Sequence, residues 1–196
     1  MRVVGSCHVP ASSVGGHRPR GRGCGAGRRG SPMYMLFWLV VALVGFGVQY
    51  ALRRRHDRSV SVPDLLLGWL LLSAVGLAGL LGAFAHTAFA AETAQGIGFP
   101  AGNPFQYEVA VANLAFAVLA LVGFWNPDVR PVAGLVSGIW LGGDAIVHTH
   151  ELVAHDNTAP NNAGLFLVIE TVIALALLGL GGYAAASRRS AAPARV

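Results

Sequence analysis

Five long apolar segments, separated by shorter polar stretches, dominate this chain of 196 residues. Each is long enough to cross the hydrocarbon core of a bilayer, which takes roughly 20 residues of α-helix. They cover approximately residues 34–52, 64–89, 104–125, 131–152 and 163–186. A composition of 54% hydrophobic and 12% charged residues is too apolar for a soluble domain. The pattern therefore predicts an all-α, polytopic bundle of five transmembrane helices at 33–186, embedded in a lipid bilayer.

The arginines between these segments predict an orientation. The first loop, the third loop and the tail at 187–196 contain all the arginines that follow residue 32, at Arg53, Arg54, Arg55, Arg58, Arg130, Arg188, Arg189 and Arg195. The second and fourth loops contain none. Because basic loops stay on the cytoplasmic side, the C-terminus is predicted to be cytoplasmic and the N-terminus of the first helix to lie outside. The chain is then a multi-pass protein of the plasma membrane.

Residues 1–32 differ from the rest of the chain. This leader is rich in arginine and glycine and has no apolar run, so it is predicted to be disordered. The predicted orientation would place the arginines of this leader on the outer side, which contradicts the positive-inside rule. This conflict favours a translation start at Met33 or Met35. The alternative is that the leader is retained and lies outside. Membrane anchoring explains the net charge of +5, so we expect no nucleic-acid partner.

Glycines recur at every fourth position in the fourth segment, at Gly134, Gly138 and Gly142. Small residues at this spacing form a ridge on which another helix can pack closely. The ridge predicts tight helix packing, and it also offers a surface for a homo-oligomer or a membrane partner. The second segment has a similar series that could be its counterpart, at Gly76, Gly79 and Gly82.

Ionisable residues within the apolar segments are the main candidates for function, because placing them in a membrane is costly. Asp144, His148 and Glu151 fall on one face of the fourth helix. Glu170 is expected at a depth similar to that of Asp144, on the fifth helix. Two carboxyl groups so placed could share a proton.

Together with two further residues, these groups are predicted to line an outward-facing polar pocket formed by His86, Glu108, Asp144, His148, Glu151 and Glu170. Imidazole and carboxylate ligands suit zinc, iron or manganese, with His86 and His148 as the metal ligands. The same groups could bind a proton or a small polar ligand, or simply hydrogen-bond one another between helices. The arginine-free loops at 92–108 and 155–164, with Gln106 and Asn162 at capping positions, could cover this pocket.

Two sequence blocks carry a resemblance to a known family. They comprise Ile97-Gly98-Phe99, Asn103-Pro104-Phe105-Gln106 and Glu108-Val109, then His148, Asn157, Ala159-Pro160 and Asn162-Ala163-Gly164. Over about residues 64–182 the chain resembles a family of small, uncharacterised prokaryotic multi-pass membrane proteins. Glu108, His148 and Glu170 fall on matching positions. Phe99, Asn161 and Asp144 depart from the family pattern, and the resemblance implies a membrane architecture without a reaction.

These observations predict a binding or transport-related module and favour a role other than catalysis. Two other classes of protein fit the same residues. As an enzyme, the chain would be a membrane-embedded metal or haem oxidoreductase that uses His86, His148 and the carboxylates. As a structural protein, it would be a partner subunit of a membrane complex, assembled through the glycine ridge.

Overall fold

The computed structural model describes residues 33–56 and 60–191. All secondary structure in these ranges is helical. The elements are α1 (Tyr34–His56), α2 (Val62–Leu70), a π-helical segment (Leu71–Leu77), α3 (Ala78–Ala88), α4 (Ala90–Ile97), α5 (Phe105–Trp125), α6 (Arg130–His155) and α7 (Leu165–Ala191). The predictions for the leader at 1–32, for Arg58 and for Arg195 fall outside the described residues.

Five helices are long and apolar enough to cross a membrane. The second of them runs unbroken over Val62–Ala88, through α2, the π-helical segment and α3. The predicted all-α architecture with five candidate spans is therefore confirmed. The helices extend past their predicted ends, α1 to His56 and α6 to His155. Hydropathy marks the part of a helix that suits lipid, whereas the backbone hydrogen bonds continue into the polar flanks.

The second spanning helix lies at the centre of the bundle. Of its most apolar stretch, 56% is buried, compared with 11% for α1. Leu67, Leu70 and Leu71 belong to one core together with Ile173 and Leu177 of α7. Many large apolar side chains on the outer faces of the other helices are exposed. Such faces suit contact with lipid, because a helix that is apolar all round is either buried or membrane-spanning.

Three hydrogen bonds attach α1 to this central helix, and one of them runs from Nε1 of Trp69 to Oε1 of Gln49 at 2.6 Å. Ser73, fully buried in the π-helical segment, donates to the carbonyl oxygen of Trp38 at 2.9 Å. The hydroxyl of Tyr34 donates to the carbonyl oxygen of Ala78 at 2.5 Å. Hydrogen bonds between transmembrane helices can link them where water is scarce. These contacts therefore attach α1, which has the smallest buried share of the five helices, to the rest of the bundle.

Charged side chains gather where α2 begins, α5 ends and α6 begins. Arg130 donates hydrogen bonds to the carbonyl oxygens of Gly123, at 3.0 Å, and Phe124, at 2.7 Å. Its guanidinium also forms an ion pair with Asp64. Nη2 of Arg188, near the end of α7, lies 4.0 Å from Oδ1 of Asp64. This group therefore connects four of the spanning helices, through α2, α5, α6 and α7, at one end of the bundle.

The glycine ridge of α6 packs against α7 of the same chain. A Cβ atom added at Gly134 would lie 3.4 Å from the Cα atom of Gly181, and one added at Gly138 would lie 3.0 Å from the backbone nitrogen of Leu178. The predicted close packing is therefore found within the chain. The oligomer or partner contact at this face stays a prediction, although α7 of the same chain already covers the ridge at Gly134 and Gly138. The glycine series of the second segment faces α5 instead.

Candidate functional site

The two arginine-free loops meet at the end of the bundle opposite Arg130. Nδ2 of Asn157, in the α6–α7 loop, donates to the carbonyl oxygen of Ile97 at 3.0 Å. The backbone N–H of Asn161 donates to the carbonyl oxygen of Gly96 at 3.1 Å. These bonds join the loop after α6 to the end of α4, so the two loops form one layer.

Gly98 makes this loop contact sensitive to a single methyl group. Its φ is 86°, and the side chain of Asn157 occupies the place of a Cβ atom. We expect Gly98→Ala to lower the free energy of unfolding by about 1.5 kcal/mol, from left-handed backbone strain and displacement of Asn157. Gly102→Ala is the matched control, because Gly102 has a φ of 84° and nothing within 4 Å of its Cβ position. Thermal unfolding in detergent measures both, and equal losses would show that the loop contact contributes no stability.

A buried amide fixes the ring of His148. Nδ1 of His148 lies 2.8 Å from Oδ1 of Asn162, whose side chain is fully buried. The amide nitrogen of Asn162 donates to the carbonyl oxygens of His148 and Asn157, at 3.3 and 2.8 Å. The amide oxygen is therefore the acceptor that faces the ring. The neutral imidazole carries its proton on Nδ1, and its Nε2 presents a lone pair.

Glu170, in the second turn of α7, faces this lone pair. Its side chain is 4% exposed, and Oε2 has no hydrogen-bond partner among the described residues. Oε2 lies 3.9 Å from Nε2 of His148, which is beyond the roughly 3.2 Å of a hydrogen bond. An ionised carboxylate oxygen and an imidazole nitrogen with a lone pair are both acceptors. Two such acceptors repel each other, and a cation or a shared proton between them would remove this repulsion.

Asp144 and Glu151 extend this face of α6 on either side of His148. Asp144 is half-buried one turn before His148. Glu151 lies one turn after His148, toward the helix end. The exposed fraction of the side chain falls from 22% at Glu151 to 13% at His148 and 4% at Glu170. The polar face thus leads from the surface into the bundle.

His86 and Glu108 lie apart from this group. Nδ1 of His86 is 2.7 Å from Oε1 of Gln106, across α3 and α5, and Glu108 is exposed. In the part of the chain that the structure describes, no hydrogen bond or ion pair joins either residue to His148. Two cavities, of about 640 and 390 Å³, are lined by none of the six predicted residues. Four of the six, Asp144, His148, Glu151 and Glu170, are therefore brought together on α6 and α7.

Comparison with known proteins identifies the family. A model described as a family of unknown function, DUF6790, matches residues 32–191. The chain belongs to this family. The match to DUF6790 includes all five spanning helices, a wider range than the predicted resemblance, and it confirms that the family has no assigned function. No curated protein and no solved structure matches the chain.

In this DUF6790 protein the histidines of the candidate site contact amides that the sequence did not indicate as site residues. Asn162 and Gln106 stand at capping positions in the sequence, but both are buried and bind histidines. Asn157 joins the same network through its carbonyl oxygen. All three lie in the two blocks that carry the family resemblance. The presence of all three amides in these blocks, which flank the predicted pocket, is the sequence feature that could have identified them as site residues.

Proposed function

We propose that this DUF6790 protein is a multi-pass membrane protein that binds a divalent transition-metal ion between α6 and α7. The ligands are Nε2 of His148 and the carboxylate of Glu170; the carboxylate of Asp144 lies more than 4.8 Å from at least one of them and would have to rotate to become a third ligand. One imidazole with carboxylates suits zinc, iron or manganese. The protein would then bind or help to transport a metal ion.

The facing acceptors of His148 and Glu170 carry this proposal. Metal–ligand bonds of about 2.0–2.2 Å in a tetrahedral arrangement place two ligand atoms of one ion roughly 3.3–3.6 Å apart. The observed separation of 3.9 Å is a few tenths of an ångström longer, so a small side-chain movement would bring both atoms onto one ion, whereas a directly shared proton would need a closer approach, to about 3.2 Å or less. A divalent ion would also supply the positive charge that two neighbouring carboxyl groups require in an apolar environment.

The surroundings of His148 support the same reading. Histidines that bind metals usually donate their second ring N–H to a fixed acceptor, which orients the ring. Asn162 provides that acceptor at 2.8 Å. The ring of Phe166 packs edge-on against the imidazole, with 5.7 Å between ring centroids. The lone pair of Nε2 is therefore directed toward Glu170 before any ion binds.

We further propose that the metal site opens to the outer side of the plasma membrane. The charge distribution supports this orientation, because the exposed arginines Arg53, Arg54, Arg55 and Arg189 lie at the end away from the site. The N-terminus of α1 is then outside and the C-terminus of α7 is cytoplasmic. A metal ion would reach His148 from outside along the face that begins at Glu151.

Metal binding by the purified protein tests this function. The protein in detergent is stripped with a chelator and dialysed against Zn²⁺, and bound metal is counted by elemental analysis. We expect Glu170→Gln and His148→Asn each to remove one bound ion, because each deletes a ligand. Asn162→Ala should weaken binding by about 10–100-fold, the usual effect of losing a group that orients a ligand.

Glu108→Gln is the matched control for these variants. It removes an exposed carboxylate from another spanning helix, so its zinc content should equal that of the unmodified protein. Unchanged zinc content in the Glu170→Gln variant would contradict the proposed function.

A further inference from the structure

A second group of metal-binding side chains lies at the end of α6. His150, Glu151 and His155 each place one ligand atom within 4.8 Å of the others. Nδ1 of His155 lies 3.2 Å from Oε1 of Glu151, and Nδ1 of His150 lies 4.0 Å from the same oxygen. The centroids of the two imidazole rings are 5.5 Å apart. Three ligand groups therefore converge on one point at the surface of the protein.

The end of the helix produces this convergence. Glu151 and His155 are separated by four residues, so they lie on one face of α6, and His150 precedes Glu151 on the adjoining face. The helix stops directly after His155, where Asp156 has a φ of 52° and the N–H of Asn157 donates to the carbonyl oxygen of Glu151 at 3.1 Å. This ending fixes the last turn.

We propose that His150, Glu151 and His155 form a surface site for a divalent transition-metal ion, with Zn²⁺ as the best match. Two imidazoles and one carboxylate, with a water molecule as the fourth ligand, are a known ligand set for zinc. The side chains of the two histidines are 67% and 58% exposed, so small rotations can close their ligand atoms to bonding distance without repacking a core. An ion at this position exchanges readily with solvent.

This surface site is separate from the site at Glu170. It shares no ligand with that site, so it does not depend on the proposed function. It nevertheless occupies the same end of α6, and Glu151 lies close enough to His148 for their charges to interact. Metal binding at the surface is thus independent of the buried site, whereas a role as a capture site in front of the buried ligands rests on the proposed function.

Zn²⁺ titration of the full-length protein in detergent, in competition with a chromophoric chelator, tests the surface site. We expect His155→Ala to weaken one class of bound Zn²⁺ by at least about 10-fold, since losing a ligand should cost no less than losing a group that only orients one. His150→Ala combined with His155→Ala should abolish this class. The Glu170→Gln variant should keep this class and lose the buried one. His56→Ala, an exposed histidine at the far end of α1, is the matched control and should titrate like the unmodified protein.

The outcomes separate the two sites. Loss of the surface class in the double variant, with an unchanged unfolding midpoint, supports the proposal even if Glu170→Gln has no effect. If the double variant and His56→Ala bind Zn²⁺ equally, the surface site is overturned.

Discussion

Replacing Arg130 with methionine is expected to lower the free energy of unfolding by about 3 kcal/mol. The Arg130 side chain is 11% exposed and donates to the carbonyl oxygens of Gly123, Phe124 and Asp64 and to the carboxylate of Asp64. Methionine fills a similar volume but donates nothing, so all four acceptors lose this donor. A buried charge left without its partner costs about 3–5 kcal/mol. Because Asp64 is 35% exposed, water compensates part of this loss and the lower end of the range applies.

Unfolding in mixed detergent micelles measures this effect, with three comparisons. Arg130→Lys should lose about half as much, because one compact ammonium group cannot reach all four acceptors. Arg189→Met removes an exposed arginine from the same end and should cost less than about 0.5 kcal/mol. Combining Arg130→Met with Asp64→Asn should cost less than the sum of the two, because both remove the same ion pair. If Arg130→Met unfolds like Arg189→Met, Arg130 contributes to orientation and not to the fold.

Arg130 also shows where prediction of the fold from sequence reaches its limit. Hydropathy and length suffice to locate five spanning helices, because the bilayer demands about 20 apolar residues for each. The same pattern identifies Arg130 only as a basic residue in a loop. Its bonds to Gly123 and Asp64 depend on α2 lying beside the α5–α6 turn. That neighbourhood is a property of the packed bundle, and no local pattern encodes it.

The candidate site has a similar division between what the sequence predicts and what it does not. Helical periodicity groups Asp144 with His148, and a rise of 1.5 Å per residue predicts that Glu170 is at a matching depth. Depth alone also suggested a single pocket that includes His86, yet His86 binds Gln106 between α3 and α5. Counting residues gives the height of a group in the membrane. It does not show which neighbouring helix the group faces.

The helix pair that holds the site gives a second prediction with a large effect, at two adjacent glycines of α7. A Cβ atom at Gly181 would lie 2.9 Å from the backbone nitrogen of Leu135 and 3.1 Å from the carbonyl oxygen of Pro131. Backbone atoms cannot rotate away, so α6 and α7 would have to separate. We expect Gly181→Ala to lower the free energy of unfolding by about 2–3 kcal/mol, the usual cost of overpacking.

Gly182→Ala is the matched control, because nothing lies within 4 Å of that Cβ position. Alanine favours helix over glycine by roughly 0.5–1 kcal/mol, so this variant should be neutral or slightly more stable. Unfolding in mixed micelles should therefore give effects of opposite sign at neighbouring positions. Zinc binding provides a second measurement, because separating α6 from α7 would move His148 away from Glu170 and weaken the buried site in the Gly181→Ala variant alone. Equal stability of the two variants would show that the close approach of α6 and α7 does not stabilise the bundle.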